Sequence, residues 1–299
     1  MVTSAERLPT PEAIIRVAFT RGEGCLELAS LLATDTPVRV VDDIHGACIQ
    51  ARADVLVSRK LSNFDLTNQA VPHHFDPETP EKVAALVGTG PNSLFAGQVA
   101  VRLASRLDVP VELVTAHSND QERMAGGRAL TDISRQIGAG GRLVKISEVS
   151  DLIHSVGERS LLVFGAAGGR LLQRLFFGTG VRLRSQAPSG AVIVQAAPMR
   201  VFRRMVDPSY VSGHMSVAEA SRVTDAPVVA VVDGGRLIGV VRRESLAESD
   251  PEALVSSVME EGASAAQEDS LEELRARDHP FERIPVTDED GMLVGDVTF

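Results

Sequence analysis

Three glycines and a threonine between residues 165 and 179 have the spacing of a phosphate-binding segment. Gly165 and Gly168 follow an apolar run at 161–164, and nine residues separate Gly168 from Gly178-Thr179. Glycines at a strand's end let the backbone approach a phosphate closely, so that bare N–H groups become donors. Gly178 and Thr179 would open a second helix, whose N-terminal amides also favour an anion. The segment is therefore a candidate nucleotide phosphate site, and the alternative is a purely steric turn.

The pattern G-x2-G-x9-G-T resembles the signature of the universal stress protein family, whose ATP-binding members carry G-x2-G-x9-G-[S/T] at this place. The resemblance covers residues 81–196. It implies an α/β domain with a parallel five-stranded sheet and helices on both faces. It also implies that the glycine-rich loop holds the phosphates of ATP.

Two further groups of residues belong to the candidate site. Gly169 and Arg170 lie in or beside the glycine-rich turn, and Arg170 would neutralise phosphate charge unless it is an ordinary exposed helix residue. The turn at 87–93 looks like the family's V-D-G-S-x-x-S, with Gly88 where ATP-binding relatives have an Asp, followed by Thr89. A polar contact is worth ~0.5–1.5 kcal/mol, so the missing carboxylate predicts about tenfold weaker binding.

Alternating strands and helices are expected to position these residues. Apolar runs of strand length alternate with helical patterns over short connections, which is typical of parallel βαβ units. Strands are predicted at 83–87, 111–115, 143–146, 161–164 and 191–194, and helices at 94–107, 121–137 and 148–156.

The first 75 residues repeat this alternation on a smaller scale. Strands at 13–20, 38–41 and 54–58 and a helix at 25–32 predict a small βαβ segment of unknown role. Three strands make a thin core, so the segment should dock on its neighbour or on its copy in a second chain. The prolines of residues 68–80 favour a linker over regular structure.

Residues 201–299 contain two similar stretches that lie about 54–56 residues apart, at 228–241 and 284–298. Each stretch has a strand, a turn with Asp and Gly, and a second strand with L-[IV]-G. An S-x-x-E helix start precedes each, at Ser216 and Ser270. The repeats resemble a CBS-domain pair, which implies an α+β fold for this region.

The CBS-like repeats depart from the family's ligand-binding ending, G-h-h-T-x-x-D, whose Thr and Asp hold ribose and phosphate. The first repeat has Arg242 and Ser245 at these positions, and the second stops at Phe299 before the Asp position. The resemblance therefore implies a degenerate pair that serves dimerisation or domain contact rather than an adenosine site.

Composition limits the function further. A net charge of −10 argues against a nucleic-acid-binding surface, which is usually basic. No apolar run approaches the ~18 residues that span a bilayer, and the N-terminus lacks a signal-peptide pattern, so a cytoplasmic protein without membrane insertion is expected. No Ser/His/Asp, Cys/His, HExxH or CxxC pattern is recognised, so no enzymatic activity beyond slow, incidental ATP hydrolysis is expected.

The sequence thus predicts a cytoplasmic regulatory or stress-response protein that binds ATP, ADP or AMP, with Mg²⁺ as an optional companion and an unidentified protein target. The alternatives are a nucleotide-free interaction scaffold and an adenylate-chemistry enzyme with atypical motifs. In the family the strand at 191–194 pairs with its counterpart across a two-fold axis. We therefore expect a homodimer through this strand, the C-terminal repeats, or both.

Overall fold

The computed structural model describes residues 16–33, 38–41, 48–62, 65–90, 92–166, 187, 189–262, 264–277 and 281–298. The chain divides into two compact units, residues 1–197 and 198–299. Across the described ranges, none of the helices combines the length and apolar character that crossing a membrane requires.

The strands described in the first unit form a single sheet, with helices packed against it. The strands are β1 (Val17–Phe19), β2 (Arg39–Val40), β3 (Val55–Val57), β4 (Asn68–His73), β5 (Lys82–Leu86), β6 (Val111–His117), β7 (Gly141–Lys145), β8 (Ser160–Gly165) and β9 (Ala191–Gln195). The helices are α1 (Cys25–Leu32), α2 (Ser93–Leu107), α3 (Asp120–Ile137) and α4 (Val149–Val156). The strand order is β2-β1-β3-β4-β9-β8-β5-β6-β7.

The sheet consists of two parallel halves that run in opposite directions. Strands β2, β1, β3 and β4 are parallel to one another, and so are β9, β8, β5, β6 and β7. Strands β4 and β9 join the halves as an antiparallel pair, with Val71 opposite Ile193. The expected α/β class is confirmed, with a sheet that is large and mostly parallel. The expected sheet of five strands is wrong, because the strands of residues 17–73 extend it to nine.

The prediction of a linker at residues 68–80 is wrong for residues 68–73, because these form β4 in the middle of the sheet, whereas residues 74–80 have no helix or strand. Pro72 is tolerated there for a geometric reason. The carbonyl of Ala70 accepts a hydrogen bond from Ser58 N on the β3 side, and Pro72, two residues on, faces the same side. The β3–β4 pairing ends at Ala70, so the missing N–H of Pro72 removes no ladder hydrogen bond.

Helices cover both faces of the sheet. Helices α1, α2 and α3 bury their apolar sides in one core, which includes Leu28, Leu103 and Ile133. Helix α4 contributes Leu152 and Val156 to a second core on the opposite face. The two faces are thus buried by alternate residues of the strands, as a doubly covered parallel sheet requires.

The two halves of this sheet begin with the same pattern, V-A-x-x-x-G-x-G, at residues 17–24 and 83–90. The pattern occupies the same structural position in both halves, since each copy runs through a parallel strand and leads to a helix. Val17 pairs with Val55 of β3, and Val83 pairs with Leu161 of β8. The first half therefore relates to the second by an approximate two-fold axis through the β4–β9 pair.

The second unit contains two small sheets of the same design. One sheet is β10 (Tyr210–Ser212), β11 (Val228–Asp233) and β12 (Arg236–Arg242), and the other is β13 (Ala265–Ala266), β14 (Arg283–Thr287) and β15 (Leu293–Thr298). The helices are α5 (Val217–Val223), α6 (Arg243–Glu248), α7 (Val255–Val258) and α8 (Leu271–Ala276). Ser216 and Glu219 form the expected capping box of α5, and Ser270 caps α8.

The two repeats contact each other through equivalent residues. Leu237 N donates to Gly291 O at 3.1 Å, and Leu293 N donates to Gly235 O at 3.0 Å. A shift of 56 residues converts one of these hydrogen bonds into the other. The repeats of the second unit are therefore also related by an approximate two-fold axis.

The dimer contact expected through residues 191–194 is wrong for this chain. Strand β9 has β8 on one side and β4 on the other, so it has no free edge for a second copy. A homodimer through the C-terminal repeats stays a prediction.

The joined sheet depends on Gly190, at the start of β9. Gly190 has φ +81°, and a Cβ at this residue would lie 2.2 Å from the carbonyl oxygen of His74 at the end of β4. Gly190→Ala should therefore reduce the free energy of unfolding by about 3 kcal/mol or more, from backbone strain and overpacking together. Urea unfolding measures this loss.

Gly140→Ala is the matched control for this prediction. A Cβ at Gly140 has no neighbour within 4 Å, and this glycine has no left-handed φ. The control should change stability by less than about 1 kcal/mol. Equal effects of the two substitutions would contradict the tight contact between β4 and β9.

Candidate functional site

A cavity of about 290 Å³ lies at the carboxyl ends of β5 and β6. Its floor is apolar and includes Leu86, Val114 and Leu152, and its rim includes the turn at 88–90 and the first turns of α3. From β5 the chain continues to β6 on one side, whereas β8 lies on the other side. The cavity is therefore beside the point where the strand order reverses, which is where open α/β sheets bind ligands.

The first turn of α3 forms one wall of the cavity and is fixed by its own hydrogen bonds. Asn119 Oδ1 caps the helix by accepting from Glu122 N at 2.9 Å. Ser118 donates to Glu122 Oε2 through its backbone N–H at 2.8 Å and its hydroxyl at 2.7 Å. These bonds, the backbone one foremost, lower the pKa of Glu122 below its ordinary value of 4.5. This wall is therefore anionic and suits a neutral part of a ligand better than a phosphate.

Close approach of α3 to β6 shapes the back of the cavity. A Cβ at Gly126 would lie 2.6 Å from Thr115 Cγ2, so glycine lets the helix lie directly on the strand. The buried hydroxyl of Thr115 donates to Val87 O at 2.9 Å, at the end of β5. Gly126 thus determines the position of the helix, although glycine lowers its intrinsic helix propensity.

The predicted site residues divide into two groups. Gly88 and Thr89 line the cavity, and a Cβ at Gly88 would have no neighbour within 4 Å. Gly165 ends β8. Gly168, Gly169, Arg170, Gly178 and Thr179 lie outside the described residues. That this second group holds phosphates stays a prediction.

Asn92 lies between the turn at 88–90 and the end of β8. The sequence reasoning missed this residue. Its side chain is buried, with 8% exposed, and its Cβ would be 2.5 Å from any Cβ at residue 165. Asn92 Nδ2 donates to Ala166 O at 2.8 Å, and its Oδ1 accepts from Ala196 N at 2.8 Å. Gly165 is therefore required for packing against Asn92, whatever it contributes to a ligand.

Arg242 stands where the ligand-binding ending of CBS repeats has a Thr, and it contacts other residues of the second unit. The Arg242 guanidinium lies 4.4 Å from the centre of the Phe281 ring and 3.2 Å from Glu260 Oε1. A Cβ at Gly239 would lie 2.7 Å from Glu260 O, so this glycine serves a close backbone contact. Arg242 thus makes contacts within the unit.

Asp296 is a buried acid in the second repeat and is 2% exposed. Its carboxylate accepts from Arg283 Nε at 2.7 Å and from Ser209 N at 2.8 Å. Burial raises the pKa of Asp296 above its ordinary 3.8, although both hydrogen bonds oppose the shift. Arg283 therefore compensates a charge that the fold otherwise disfavours.

Among the described residues, no group of three or more His, Cys, Asp or Glu side chains is arranged to hold a metal ion. The chain matches no protein-family model and no curated protein.

Several solved structures are similar to about a third of the chain. The cytosolic domain of the Mg²⁺ channel MgtE in complex with ATP is 29% identical, over 33% of this chain and 45% of that one, with a TM-score of 0.31. A CBS domain pair/ACT domain protein from Thermotoga maritima is 26% identical, over 34% and 90%, with a TM-score of 0.31. CBSX2 in complex with AMP is 22% identical, over 33% and 89%, with a TM-score of 0.29. The chain thus covers less than half of the MgtE domain.

Removal of the cation beside Asp296 should destabilise the second unit in a pH-dependent way. Arg283→Met leaves a buried carboxylate with the Ser209 N–H but without its compensating cation, which costs about 3 kcal/mol of unfolding free energy at neutral pH. Because the folded-state pKa of Asp296 is raised, the carboxylate becomes neutral as the pH falls through that pKa. The loss should therefore shrink on acidification, as measured by urea unfolding across a pH series.

Arg243→Met is the control, since its pair with Asp225 leaves the two side chains 56% and 96% exposed. Exposed pairs contribute ~0–1 kcal/mol, so this variant should unfold almost as the wild type does at every pH. A loss in Arg283→Met that stays constant with pH would contradict the account of Asp296.

Proposed function

We propose that the chain is a regulatory protein without catalytic activity, and that its first unit binds an adenine nucleotide at the carboxyl ends of β5, β6 and β8. The base and ribose occupy the cavity, and the phosphates extend toward the glycine-rich part of the sequence that follows β8. The alternative is a scaffold of the same fold that binds no nucleotide.

The observation that carries this proposal is the cavity itself. Its volume is close to the lower end of the ~300–1,000 Å³ range of small-molecule pockets. The apolar floor suits a flat base, while Thr89, an exposed residue of the rim, supplies a hydroxyl for a ribose. A nucleoside thus fits the cavity in size and in polarity.

Charge supports this orientation of the nucleotide. The described lining residues include the Glu122 carboxylate and no Lys or Arg, so the cavity disfavours phosphates. Gly165 at the end of β8 packs against Asn92, and Asn92 follows the turn at 88–90 in the sequence. The phosphates would therefore leave the cavity toward residues 165–179, where the sequence has its glycines and Arg170. The choice of adenine follows from the resemblance of this glycine spacing to the universal stress protein signature.

A binding function fits the chemistry of the cavity better than a catalytic one. Glu122 is the titratable side chain among the described lining residues, and its carboxylate accepts two hydrogen bonds from Ser118. Its lowered pKa makes this carboxylate a weak base, and its Oε2 already accepts both of these hydrogen bonds, so Glu122 is a poor general base at neutral pH. The second unit would then carry the response to the bound nucleotide.

Filling the cavity should weaken nucleotide binding without unfolding the protein. Ala125 lines the cavity from α3 and is exposed, so Ala125→Phe places a ring in the space of the base. Its affinity for ATP, ADP or AMP should fall at least tenfold, as measured by calorimetric titration.

Gln136→Phe adds the same ring to an exposed position of α3 that does not line the cavity. This control should bind nucleotide as the wild type does. Unchanged binding by Ala125→Phe would contradict the proposed site. No binding by the wild type, together with no nucleotide on the purified protein, would favour the scaffold.

A further inference from the structure

We propose that two copies of this chain associate through β7 and α3, with their β7 strands paired antiparallel about a two-fold axis at Leu143. The proposal goes beyond the nucleotide site and does not depend on it. Strand β7 is one edge of the nine-stranded sheet, with β6 as its neighbour among the described strands. The other edge, β2, has two residues, and such a short strand offers little for a partner to pair with.

The backbone of β7 has unused pairing groups on its outer side. Ile146 N, just after β7, donates to His117 O of β6 at 2.9 Å, so the even-numbered residues of this segment face β6. Because the direction of the backbone groups alternates along a strand, the N–H and C=O groups of Gly141, Leu143 and Lys145 point away from β6. Another chain can therefore add a strand at this edge.

A second copy of β7 fits this edge best in one register. With the axis at Leu143, this residue faces its own counterpart, and Gly141 faces Lys145 of the second copy. Arg142 then lies opposite Val144, so no two like charges face each other. An axis at Arg142 or Lys145 would oppose two identical cations, which destabilises an antiparallel pair. An axis at Val144 would leave Gly141 facing past the end of the other strand.

Helix α3 would meet its counterpart at an ordinary packing distance. It lies over the gap between β6 and β7, since a Cβ at Gly126 would be 2.6 Å from Thr115 Cγ2 and one at Gly127 would be 3.5 Å from Leu143 Cδ1. Its axis is therefore about half a strand spacing inside β7, so the axes of two such helices are about two spacings, ~10 Å, apart. Helices that pack together have axes ~8–10 Å apart.

The side of α3 that would face the second copy is exposed and has a glycine at its centre. At about 100° per residue, Met124 and Thr131 lie within a quarter turn of Gly127, the residue beside Leu143. Met124 is 58% exposed and Leu143 is 37% exposed. Gly127 lets the two helices approach closely, and the dimer would cover both apolar side chains.

The charges of α3 suit an antiparallel copy of the same helix. Asp120 and Arg135 lie at opposite ends of this side, and their side chains are 92% and 73% exposed. An antiparallel copy centred on Gly127 brings Asp120 next to Arg135 of the second copy, and the reverse. Each already has an oppositely charged neighbour in its own helix, Arg123 and Asp132, so the contact extends two exposed ion pairs.

Disulfide formation in the full chain tests the position of the axis. Mild oxidation should link two copies of Leu143→Cys, because facing residues of an antiparallel pair have Cα atoms about 5.5 Å apart, within the range of a disulfide. Leu26→Cys is the matched control, since Leu26 on α1 is 49% exposed and should give no link. The native Cys25 and Cys48 are buried and should not react. Non-reducing gel electrophoresis measures the linked fraction.

Charge exchange on α3 tests the same interface without altering β7. Asp120→Arg or Arg135→Asp alone should weaken the dimer about tenfold, since each change replaces two attractions across the axis by two repulsions. The variant that carries both changes restores opposite charges and should associate as the wild type does. Sedimentation velocity over a series of micromolar concentrations measures the association.

A wild type that sediments as a monomer throughout this series would overturn the proposal. A dimer in which Leu143→Cys forms no more links than Leu26→Cys would also overturn it, and would favour association through the C-terminal repeats. Single charge changes that leave association unaltered, or a double change that fails to restore it, would overturn the pairing of α3 with its counterpart.

Discussion

The antiparallel pairing of β4 with β9 is the constraint on which the first unit depends. Among the described strands, it is the one pair that joins the two parallel half-sheets. Parallel sheets are stable only when both faces are covered, and the joined sheet lets α1 and α2 share one continuous core. The thin first half thus gains a core that three or four strands cannot build alone.

The same pairing decides where a ligand site can lie. Because the halves run in opposite directions, their carboxyl ends are at opposite edges of the sheet. The cavity belongs to the edge of the second half, where residues 88–90, 119–122 and 165–166 lie at the carboxyl ends of their strands. Pairing with β4 on one side and β8 on the other also leaves β9 without a free edge for a second chain.

Local patterns in the sequence predicted most elements, since they report burial along a single strand or helix. Helix α1 was predicted at its observed bounds, Cys25–Leu32, and the five strands of the second half were all located. Strand β4 was missed because three prolines in residues 68–80 indicated a linker. Its neighbour β9 lies about 120 residues away, and no local pattern reports such a pairing. The repeated V-A-x-x-x-G-x-G was the readable signal of two related halves.

The residues of the candidate site that the sequence predicted are those that belong to a recognisable turn pattern. Gly88 and Thr89 were identified from a turn pattern, and both line the cavity. Asn92 was not, because its local context indicates a helix cap, which is worth ~1 kcal/mol. The fold forgoes that cap for two buried hydrogen bonds to distant backbone groups. Residues that give up a locally favoured role are typical of positions that function constrains. Asn92 gives up the helix cap beside the point where the strand order reverses, and this marks it more strongly than any sequence motif around it.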